Sequence, residues 1–398
     1  MLCHHVPCPP PFPSPVAGML RPYWNAAMTH TRNTPDQASL RRGWTTGSCA
    51  TAAARAAWVA MRCGDFPDPV TITLPGGQDV AFSLAAHGRD DAGGAWACVV
   101  KDAGDDPDVT HGALVRADLA PGAPGTGITF RAGPGVGTVT LPGLPIAVGE
   151  PAINPVPRRM IRTALTEAGG RVPDVRVTVS VADGERLARR TLNGRLGIVG
   201  GLSILGTTGI VVPFSCAAWI DSIHRGVDVA RAMGLAHVVG STGDVSERAA
   251  RALYALPEEA MIEMGDFAGG MLKYLRRHPV PRVTVAGGVA KVSKLAQGFL
   301  DLHSRRGRAD MAELARDAAR AGADADLAGQ VARTHTVAAA FALTAAAGID
   351  LGAVITRRAW GVARDVLAGS GCALDILMFD RAGMLVSRHG PHPVDEDG

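Results

Sequence analysis

From about residue 193 onward, the sequence alternates short segments rich in β-branched residues with longer alanine-rich segments. LAHVVG, AMIEMGD and RVTVAGG have the length and composition of buried strands, and a segment of helical composition follows each one. This alternation favours a parallel sheet, because a parallel connection needs a crossover that a helix usually supplies. We therefore predict an α/β domain over residues 193–398, with a parallel sheet flanked by helices. Extra C-terminal helices and a closing hairpin, LDILMFDRAGMLVSRH, complete this domain.

The sequence before residue 193 follows a different pattern. Residues 1–39 are rich in Pro and show no periodicity, which predicts a disordered extension. An alanine-rich helix, TTGSCATAAARAAWVAMR, follows, with Thr46 or Ser48 as its expected N-cap. Short segments rich in Val, Ile and Thr, separated by Gly and Pro, then predict strands joined by turns. Residues 40–192 are therefore predicted to form an α+β domain.

Charge and cysteine usage exclude several classes of protein. The chain has 40 Lys and Arg residues against 37 Asp and Glu, a balance unlike that of nucleic-acid coats or polybasic membrane arms. No apolar run approaches the roughly 20 residues of a membrane-spanning helix. The seven cysteines are scattered without a CxxC pair, which argues against a disulfide framework and a structural zinc site. We expect a cytoplasmic protein that holds no metal of its own and binds neither nucleic acid nor membrane.

Three loops of the predicted α/β domain follow strands and carry glycine with polar residues. They contain Gly240, Ser241, Thr242 and Gly243, then Gly265 and Asp266, then Gly287 and Gly288. In an open α/β sheet, ligands bind where strands end and helices begin, because helix N-termini there carry unpaired N–H groups. Glycines let a ligand approach the backbone, and a carboxylate such as that of Asp266 can accept hydrogen bonds from a ribose diol. Tight turns that need glycine for their own conformation are the alternative.

Two segments of the α+β domain carry dense charge. KDAGDDPDVTHG contains Asp102, Asp105, Asp106 and Asp108, which suggests a Mg²⁺ or Ca²⁺ site or, in our preferred interpretation, a solvated turn-rich loop. INPVPRRMIR fixes its backbone with prolines and then presents arginines. These side chains form either an exposed polar helix face or a guanidinium cluster for a polyanionic ligand.

The segment GLSILGTTGIVVPFS places Thr207 and Thr208 between two apolar runs. Taken alone, it predicts a tight strand-loop-strand unit. Its position at the junction of the two predicted domains makes it a candidate wall of a reaction cleft, with Thr207 and Thr208 facing the reactants.

Several segments together resemble a known family. In chain order, these are RRGWTTGSCATAAARAA, KDAGDDPDVTHG, NPVPRRMI, GRLGIVGGLSILGTTGIVVPFS, VVGSTG and EMGDFAG. They are similar to the successive signatures of the CbiD family of cobalamin biosynthesis, and the resemblance extends from about Leu40 to near the C-terminus. It implies transfer of a methyl group from S-adenosylmethionine to ring carbon 1 of cobalt-precorrin-5B, which gives cobalt-precorrin-6A.

The resemblance also suggests roles for residues. The donor suits the strand-end residues Gly240, Ser241, Thr242, Gly243, Gly265 and Asp266. The acceptor is a macrocycle with many carboxylates, with or without cobalt, which suits Arg158 and Arg159 together with Arg41 and Arg42. Thr45, Thr46 and Ser48 in the matched TTGS turn are further candidates for binding the substrate.

The implied reaction is a direct displacement, so it needs no enzyme nucleophile. A carboxylate is expected to remove a proton from the macrocycle, with Asp102, Asp105 and Asp266 as candidates. Further copies of the chain, in a homo-oligomer, are the other expected partner. Two other functions stay open at this point: a small-molecule kinase, whose phosphate loop would be TTGSCATAAARAA, and a non-catalytic tetrapyrrole-binding protein.

Overall fold

The computed structural model describes residues 40–304 and 307–391. The predicted disordered extension, residues 1–39, lies outside the described residues.

Strands predominate in the first part of the described chain, and helices predominate toward its end. The strands are β1 Gly43–Trp44, β2 Val70–Thr73, β3 Asp79–Phe82, β4 Ala86–Arg89, β5 Ala95–Val100, β6 Leu114–Pro121, β7 Ile128–Ala132, β8 Gly135–Val136, β9 Thr138–Val139, β10 Val175–Val181, β11 Ile198–Val199, β12 Gly201–Leu202, β13 Ile210–Val211, β14 His237–Ser241, β15 Met261–Glu263, β16 Arg282–Gly288, β17 Ala373–Phe379 and β18 Leu385–His389. The helices are α1 Thr46–Cys63, α2 Pro155–Gly169, α3 Gly184–Ala188, α4 Cys216–Ala232, α5 Asp244–Tyr254, α6 Ala268–Arg277, α7 Val289–Ala296, α8 Met311–Arg320, α9 Ala325–Ala332, α10 Val337–Ala346 and α11 Leu351–Val366. The predicted mixed α/β architecture is confirmed.

The contacts divide the chain into two units. The first unit contains residues 40–137, 151–190 and 200–214, and the second contains residues 138–150, 191–199 and the chain from residue 215 onward. The chain therefore passes between the units several times. A single domain boundary after residue 192 stays a prediction.

The first unit is built around the buried helix α1. Its alanines lack bulky side chains, so the helix approaches β5, β6 and α2 closely, and nearly all of its first three turns are buried. The sheet beneath it has the order β4-β5-β6-β10-β7, antiparallel except for the pair β7 and β10. The N-cap of α1 is Thr45, whose Oγ1 accepts from the backbone N–H of Ser48 at 3.2 Å. The expectation of Thr46 or Ser48 in that position was wrong by one to three residues.

The segment GLSILGTTGIVVPFS does not form one strand-loop-strand unit, so that prediction was wrong. Its first apolar run contributes β12, which pairs in parallel with β8. Its second contributes β13, which pairs with β1 directly before α1. Both strands are two residues long and find partners distant in sequence, which outweigh the local pairing that the glycine-containing turn suggested.

The second unit contains a five-stranded sheet in the order β15-β14-β16-β17-β18. The first four strands are parallel, and β18 turns back antiparallel to β17. These last two strands lie in the segment LDILMFDRAGMLVSRH, from which the closing hairpin was predicted.

Successive residues of these strands pack into two different apolar cores, which lie on opposite faces of the sheet. Val238 and Ile376 belong to the larger core, which also contains residues of α4, α6, α7 and α11. Their neighbours Val239 and Leu377 belong to the smaller core, which contains Ala250 of α5. Because side chains alternate across a strand, helices cover both faces of this sheet.

Within the described residues, no helix is both long enough and apolar enough to cross a membrane.

Candidate active site

The parallel sheet of the second unit reverses its winding between β14 and β16. β15 follows β14 in the chain and lies on one side of it, whereas β16 lies on the other side. At such a reversal the connections leave in opposite directions, and a crevice forms at the carboxyl ends of the central strands. The residues at this position are Thr242, Gly243 and Asp244 after β14, Glu263 at the end of β15, and Gly287 and Gly288 at the end of β16. We call this group the carboxyl edge.

Two helices that start at the carboxyl edge lack a side-chain cap. α5 and α7 have Gly243 and Gly288 as their N-caps, which offer no side-chain oxygen. In the same unit, α4 and α8 to α11 are each capped by a Ser, Thr or Asp side chain. An uncapped first turn presents backbone N–H groups and the positive end of the helix dipole, a combination that binds anions. The two starts, on adjacent strands, therefore present backbone N–H groups of the kind that binds anions.

The glycines of the carboxyl edge differ in what surrounds them. A Cβ atom at Gly243 would have no neighbour within 4 Å, and one at Gly288 would meet only the Phe379 carbonyl oxygen at 4.0 Å. These two positions border open space. A Cβ at Gly240 would lie 2.3 Å from Met271, so Gly240 serves the packing of α6 against β14. The structure thus separates Gly243, which can face a ligand, from Gly240, which lies in the core.

The two hydroxyl residues predicted for this loop also have separate surroundings. Ser241 is fully buried, and its Oγ donates to the Glu247 carboxylate at 3.0 Å. Glu247 in turn accepts two hydrogen bonds from Arg195, at 2.6 and 3.0 Å. The side chain of Thr242 points toward Gly287, where a Cβ would be 3.1 Å from Thr242 Oγ1. Ser241 therefore supports the start of α5, whereas Thr242 lies against Gly287 at the end of β16.

The carboxyl edge is acidic. Burial raises the pKa of Glu263 above its ordinary value, the charge of Arg195 opposes this shift, and the carboxylates of Glu247 and Asp244 add to it. Asp244 is exposed in the first turn of α5, where the helix dipole favours a negative charge. These neighbouring carboxylates favour a ligand that carries positive charge.

Gly265 and Asp266 follow β15 but differ in role. Gly265 has a φ of 55° and lies against the indole of Trp219, whose Nε1 donates to the Glu263 carbonyl oxygen at 3.3 Å. The Asp266 carboxylate pairs with Lys291, which also donates to the Leu302 carbonyl oxygen at 3.0 Å. Asp266 thus has a cationic partner within the protein, and a role in binding a ribose diol stays a prediction.

In the first unit, the TTGS turn holds the loop at residues 205–209. Gly47 N–H donates to the Leu205 carbonyl oxygen at 2.8 Å, and Ser48 Oγ donates to the Gly209 carbonyl oxygen at 2.7 Å. Thr46 Oγ1 accepts from Leu205 N–H at 3.2 Å. Thr45, Thr46 and Ser48 are all buried, so their hydroxyls anchor this loop. A contact with substrate stays a prediction for them.

Thr207 and Thr208 lie on the exposed side of the same loop. Thr208 Oγ1 accepts from Ile210 N–H at 3.2 Å and lies 3.1 Å from the Ile210 carbonyl oxygen, so this hydroxyl bonds to its own turn. A role of Thr207 and Thr208 in catalysis stays a prediction.

We expect Ser48→Ala to lower the free energy of unfolding by about 1–2 kcal/mol, because it removes a buried hydrogen bond. Thr208→Ala removes an exposed hydroxyl from the loop at residues 205–209, which Ser48 anchors. This variant should change the free energy of unfolding by less than about 0.5 kcal/mol. Chemical denaturation of both variants measures the difference. Equal values for the two variants would contradict the anchoring role of Ser48.

Each carboxylate of the Asp-rich segment has a partner in the first unit. Asp102 pairs with Arg41, and Asp105 Oδ2 accepts from Arg41 N–H at 2.7 Å. Asp106 accepts from Phe214 N–H at 2.8 Å, and Asp108 pairs with the buried Lys101. The hydrogen bond from Arg41 lowers the pKa of Asp102 to about 2, which makes this carboxylate a weak proton acceptor. Proton removal by Asp102, Asp105 or Asp266 stays a prediction.

The two predicted arginines of α2 have different surroundings. Arg158 donates to the carbonyl oxygens of Ile153 and Pro151, at 2.8 and 2.9 Å, so it fixes the chain before the helix. Arg159 is exposed. Of the two, Arg159 is the one whose guanidinium faces solvent and can meet a carboxylate.

The predicted site residues therefore fall into two groups, one in each unit. Those at the carboxyl edge meet because β14 and β15 are adjacent parallel strands. Glu263, Trp219 and Arg195 were not predicted as site residues, although Glu263 and Arg195 lie within two of the segments that carry the family resemblance. Among the described residues, no group of three or more His, Cys, Asp and Glu side chains is arranged to hold a metal ion.

The sequence matches two family models. The model described as CbiD matches residues 33–213, and the model described as CbiD, C-terminal domain, matches residues 301–390.

The chain is similar along most of its length to enzymes of other organisms. It is 59% identical over 364 residues to the cobalt-precorrin-5B C(1)-methyltransferase of Agrobacterium fabrum, covering 90% of this chain and 96% of that one. It is 59% identical over 355 residues to the enzyme of the same name from Halorhodospira halophila, covering 88% and 95%. A crystal structure of a cobalamin biosynthesis protein (cbiD) from Archaeoglobus fulgidus matches with 29% identity and a TM-score of 0.37, covering 67% of this chain and 83% of that one.

Proposed function

The chain belongs to the CbiD family, and from this premise we propose that it methylates carbon 1 of cobalt-precorrin-5B to give cobalt-precorrin-6A in cobalamin biosynthesis. It is a methyltransferase, because it is 59% identical over most of its length to relatives that are methyltransferases. We further propose S-adenosylmethionine as the donor, with its site at the carboxyl edge of the second unit. The macrocycle is assigned to the first unit.

The observation that carries the donor site is the pair of uncapped helix starts at a winding reversal of a parallel sheet. S-adenosylmethionine has one carboxylate, an ammonium group, a sulfonium and a ribose diol. The N–H groups at the starts of α5 and α7 suit its carboxylate, and the acidic side chains Asp244 and Glu263 suit its positive charges. The open space at Gly243 and Gly288 leaves room for a ligand against the backbone. The residues present therefore fit this donor.

When bound, the donor supplies a methyl group already activated by the sulfonium, so an electron-rich ring carbon can attack it directly. The chain's part is to hold the two reactants close and in line, which can lower a barrier by roughly 7–11 kcal/mol. In the first unit, Arg42 and Arg159 expose guanidinium groups that suit the carboxylates of the macrocycle. We propose these two as its electrostatic contacts.

The kinase alternative predicts a phosphate loop at TTGSCATAAARAA. In the first unit, that helix start donates Gly47 N–H and Ser48 N–H to protein oxygens, and the loop at residues 205–209 covers it. The carboxylates of Asp244 and Glu263 beside the helix starts of the second unit also disfavour the several negative charges of a triphosphate more than the single carboxylate of the methyl donor. Both observations favour the methyl donor over ATP.

Titration calorimetry with S-adenosylhomocysteine and with ATP tests this proposal. We expect binding of S-adenosylhomocysteine, with ATP at least about a hundredfold weaker, because the carboxyl edge repels phosphates. Affinity for ATP alone would support a kinase. Affinity for neither ligand would support a non-catalytic tetrapyrrole-binding protein.

A cytoplasmic location, an assembly with further copies of the chain and the choice between a cobalt-containing and a metal-free macrocycle stay predictions.

A further inference from the structure

Phe214 is an aromatic residue in a backbone conformation that side chains rarely adopt. In the described part of the chain, the non-glycine residues with positive φ are Asp183, Phe214 and Ala255. Asp tolerates this region well, and Ala255 follows α5 as its C-cap, where a left-handed residue is common. Neither reason applies to Phe214, whose φ is 55°. Strain of this kind persists where the surroundings hold it, and it concentrates at functional sites.

The carboxylate of Asp106 holds this conformation within the first unit. It accepts a hydrogen bond from Phe214 N–H at 2.8 Å. Burial raises the pKa of Asp106, and the bond from Phe214 opposes that shift. Asp106 itself lies in the segment fixed by the pair of Lys101 and Asp108. The conformation of Phe214 is therefore imposed by a positioned acceptor.

The ring that this arrangement presents is exposed. Phe214 is 57% exposed, and Val212, two residues before it, is 40% exposed. A side chain placed at the cost of strain and then left in water adds little to the stability of the fold. Contact with an apolar surface of a ligand would give the exposed ring of Phe214 a function.

Positive charge borders the apolar residues. β1 pairs with β13 so that Gly43 faces Val211, and the next residues along the two strands are Arg42 and Val212. Arg42 is exposed, and continuation of this register places its backbone opposite Val212. An apolar face with a cationic border complements a flat ring whose faces are apolar and whose rim carries carboxylates.

We propose that Phe214 and Val212, bordered by Arg42, form the surface on which one face of the macrocycle rests, with Asp106 as the residue that positions Phe214. This inference rests on the proposed function, because it takes cobalt-precorrin-5B as the occupant. Phe214 contacts the ring, whereas Asp106 acts through the backbone of Phe214.

Phe214→Gly tests the contact, since glycine adopts positive φ without strain and removes the ring. We expect the KM for cobalt-precorrin-5B to rise about tenfold or more, because burial of an aromatic face is lost. The KM for S-adenosylmethionine and the midpoint of thermal unfolding should stay unchanged in this variant. Phe214→Tyr should keep the KM of the wild type. Val172→Ala removes another exposed apolar side chain of the first unit, 59% exposed, and should leave both KM values unchanged.

Two variants test the positioning role of Asp106. Asp106→Ala removes the acceptor and should raise the KM for the macrocycle, whereas Asp106→Asn keeps an acceptor oxygen and should restore most of the affinity. Equal effects of the two variants would overturn this role.

The outcomes separate the two proposals. A wild-type protein that does not methylate cobalt-precorrin-5B would overturn the proposed function, and this inference with it. An active wild type with an unchanged macrocycle KM in Phe214→Gly would overturn this inference alone. A large fall in the unfolding midpoint of Phe214→Gly would show that the ring stabilises the fold, which also overturns it.

Discussion

Replacement of Gly243 by leucine is expected to weaken the binding of S-adenosylhomocysteine about a hundredfold, with a parallel loss of methyl transfer. A Cβ at this position has no neighbour within 4 Å, and the φ of 163° is extended backbone that any residue adopts. The fold can therefore accept the side chain. The leucine would occupy the space in front of the uncapped start of α5, where we place the donor. Calorimetry with S-adenosylhomocysteine measures the effect.

Gly361→Leu is the matched control for Gly243→Leu. Gly361 lies in α11, and a Cβ there also has no neighbour within 4 Å. The same change in side chain should leave donor binding intact. The affinity of Gly243→Ala for S-adenosylhomocysteine should lie between that of the wild type and that of the leucine variant. Wild-type affinity in Gly243→Leu would place the donor elsewhere in the protein.

The strand-end loops of the second unit were predictable because their elements carry strong local signals. Val-rich and Ile-rich segments between alanine-rich ones specify parallel strands with helical crossovers, and the glycine loops follow at once. The order of the strands in the sheet was not predictable. It depends on which helix packs on which face, and no single segment encodes that choice. The winding reversal between β14 and β16 therefore became visible only in the structure. This reversal is what identifies Gly243 and Gly288 as the glycines of the candidate site.

The glycine loop after β14 illustrates a second limit. Gly240 and Gly243 look equivalent in the sequence, because each permits a close approach to the backbone. The structure shows that Met271 makes the approach at Gly240, whereas open space lies at Gly243. Sequence reasoning identified the loop and could not tell a packing glycine from one that faces a ligand. The same limit applies to Thr46 and Ser48, whose hydroxyls anchor a loop 159 to 161 residues away in the sequence.

Lys101→Met is expected to lower the free energy of unfolding by about 3–5 kcal/mol, because it leaves a mostly buried carboxylate without its cation. Lys101 is 1% exposed, and its ammonium group donates to Asp108 and, at 2.6 Å, to Thr110 Oγ1. Burial alone would raise the pKa of Asp108, but the charge and hydrogen bond of Lys101 lower it below its ordinary value overall. The pair therefore contributes stability above the unfolded pKa of about 3.9, and this contribution is lost as the pH falls. Denaturation at pH 7 and at lower pH measures both effects.

Two comparisons identify the uncompensated charge as the cause of this loss. The double variant Lys101→Met with Asp108→Asn should recover part of the stability, because no buried charge remains unpaired. Arg186→Met breaks an exposed pair with Asp183, 59% and 52% exposed, and should cost less than about 1 kcal/mol. A double variant as unstable as Lys101→Met would instead assign the loss to the packing of the lysine side chain. Since Asp106 lies between Lys101 and Asp108, the single variant should also raise the KM for the macrocycle, which links the stability of this segment to the position of Phe214.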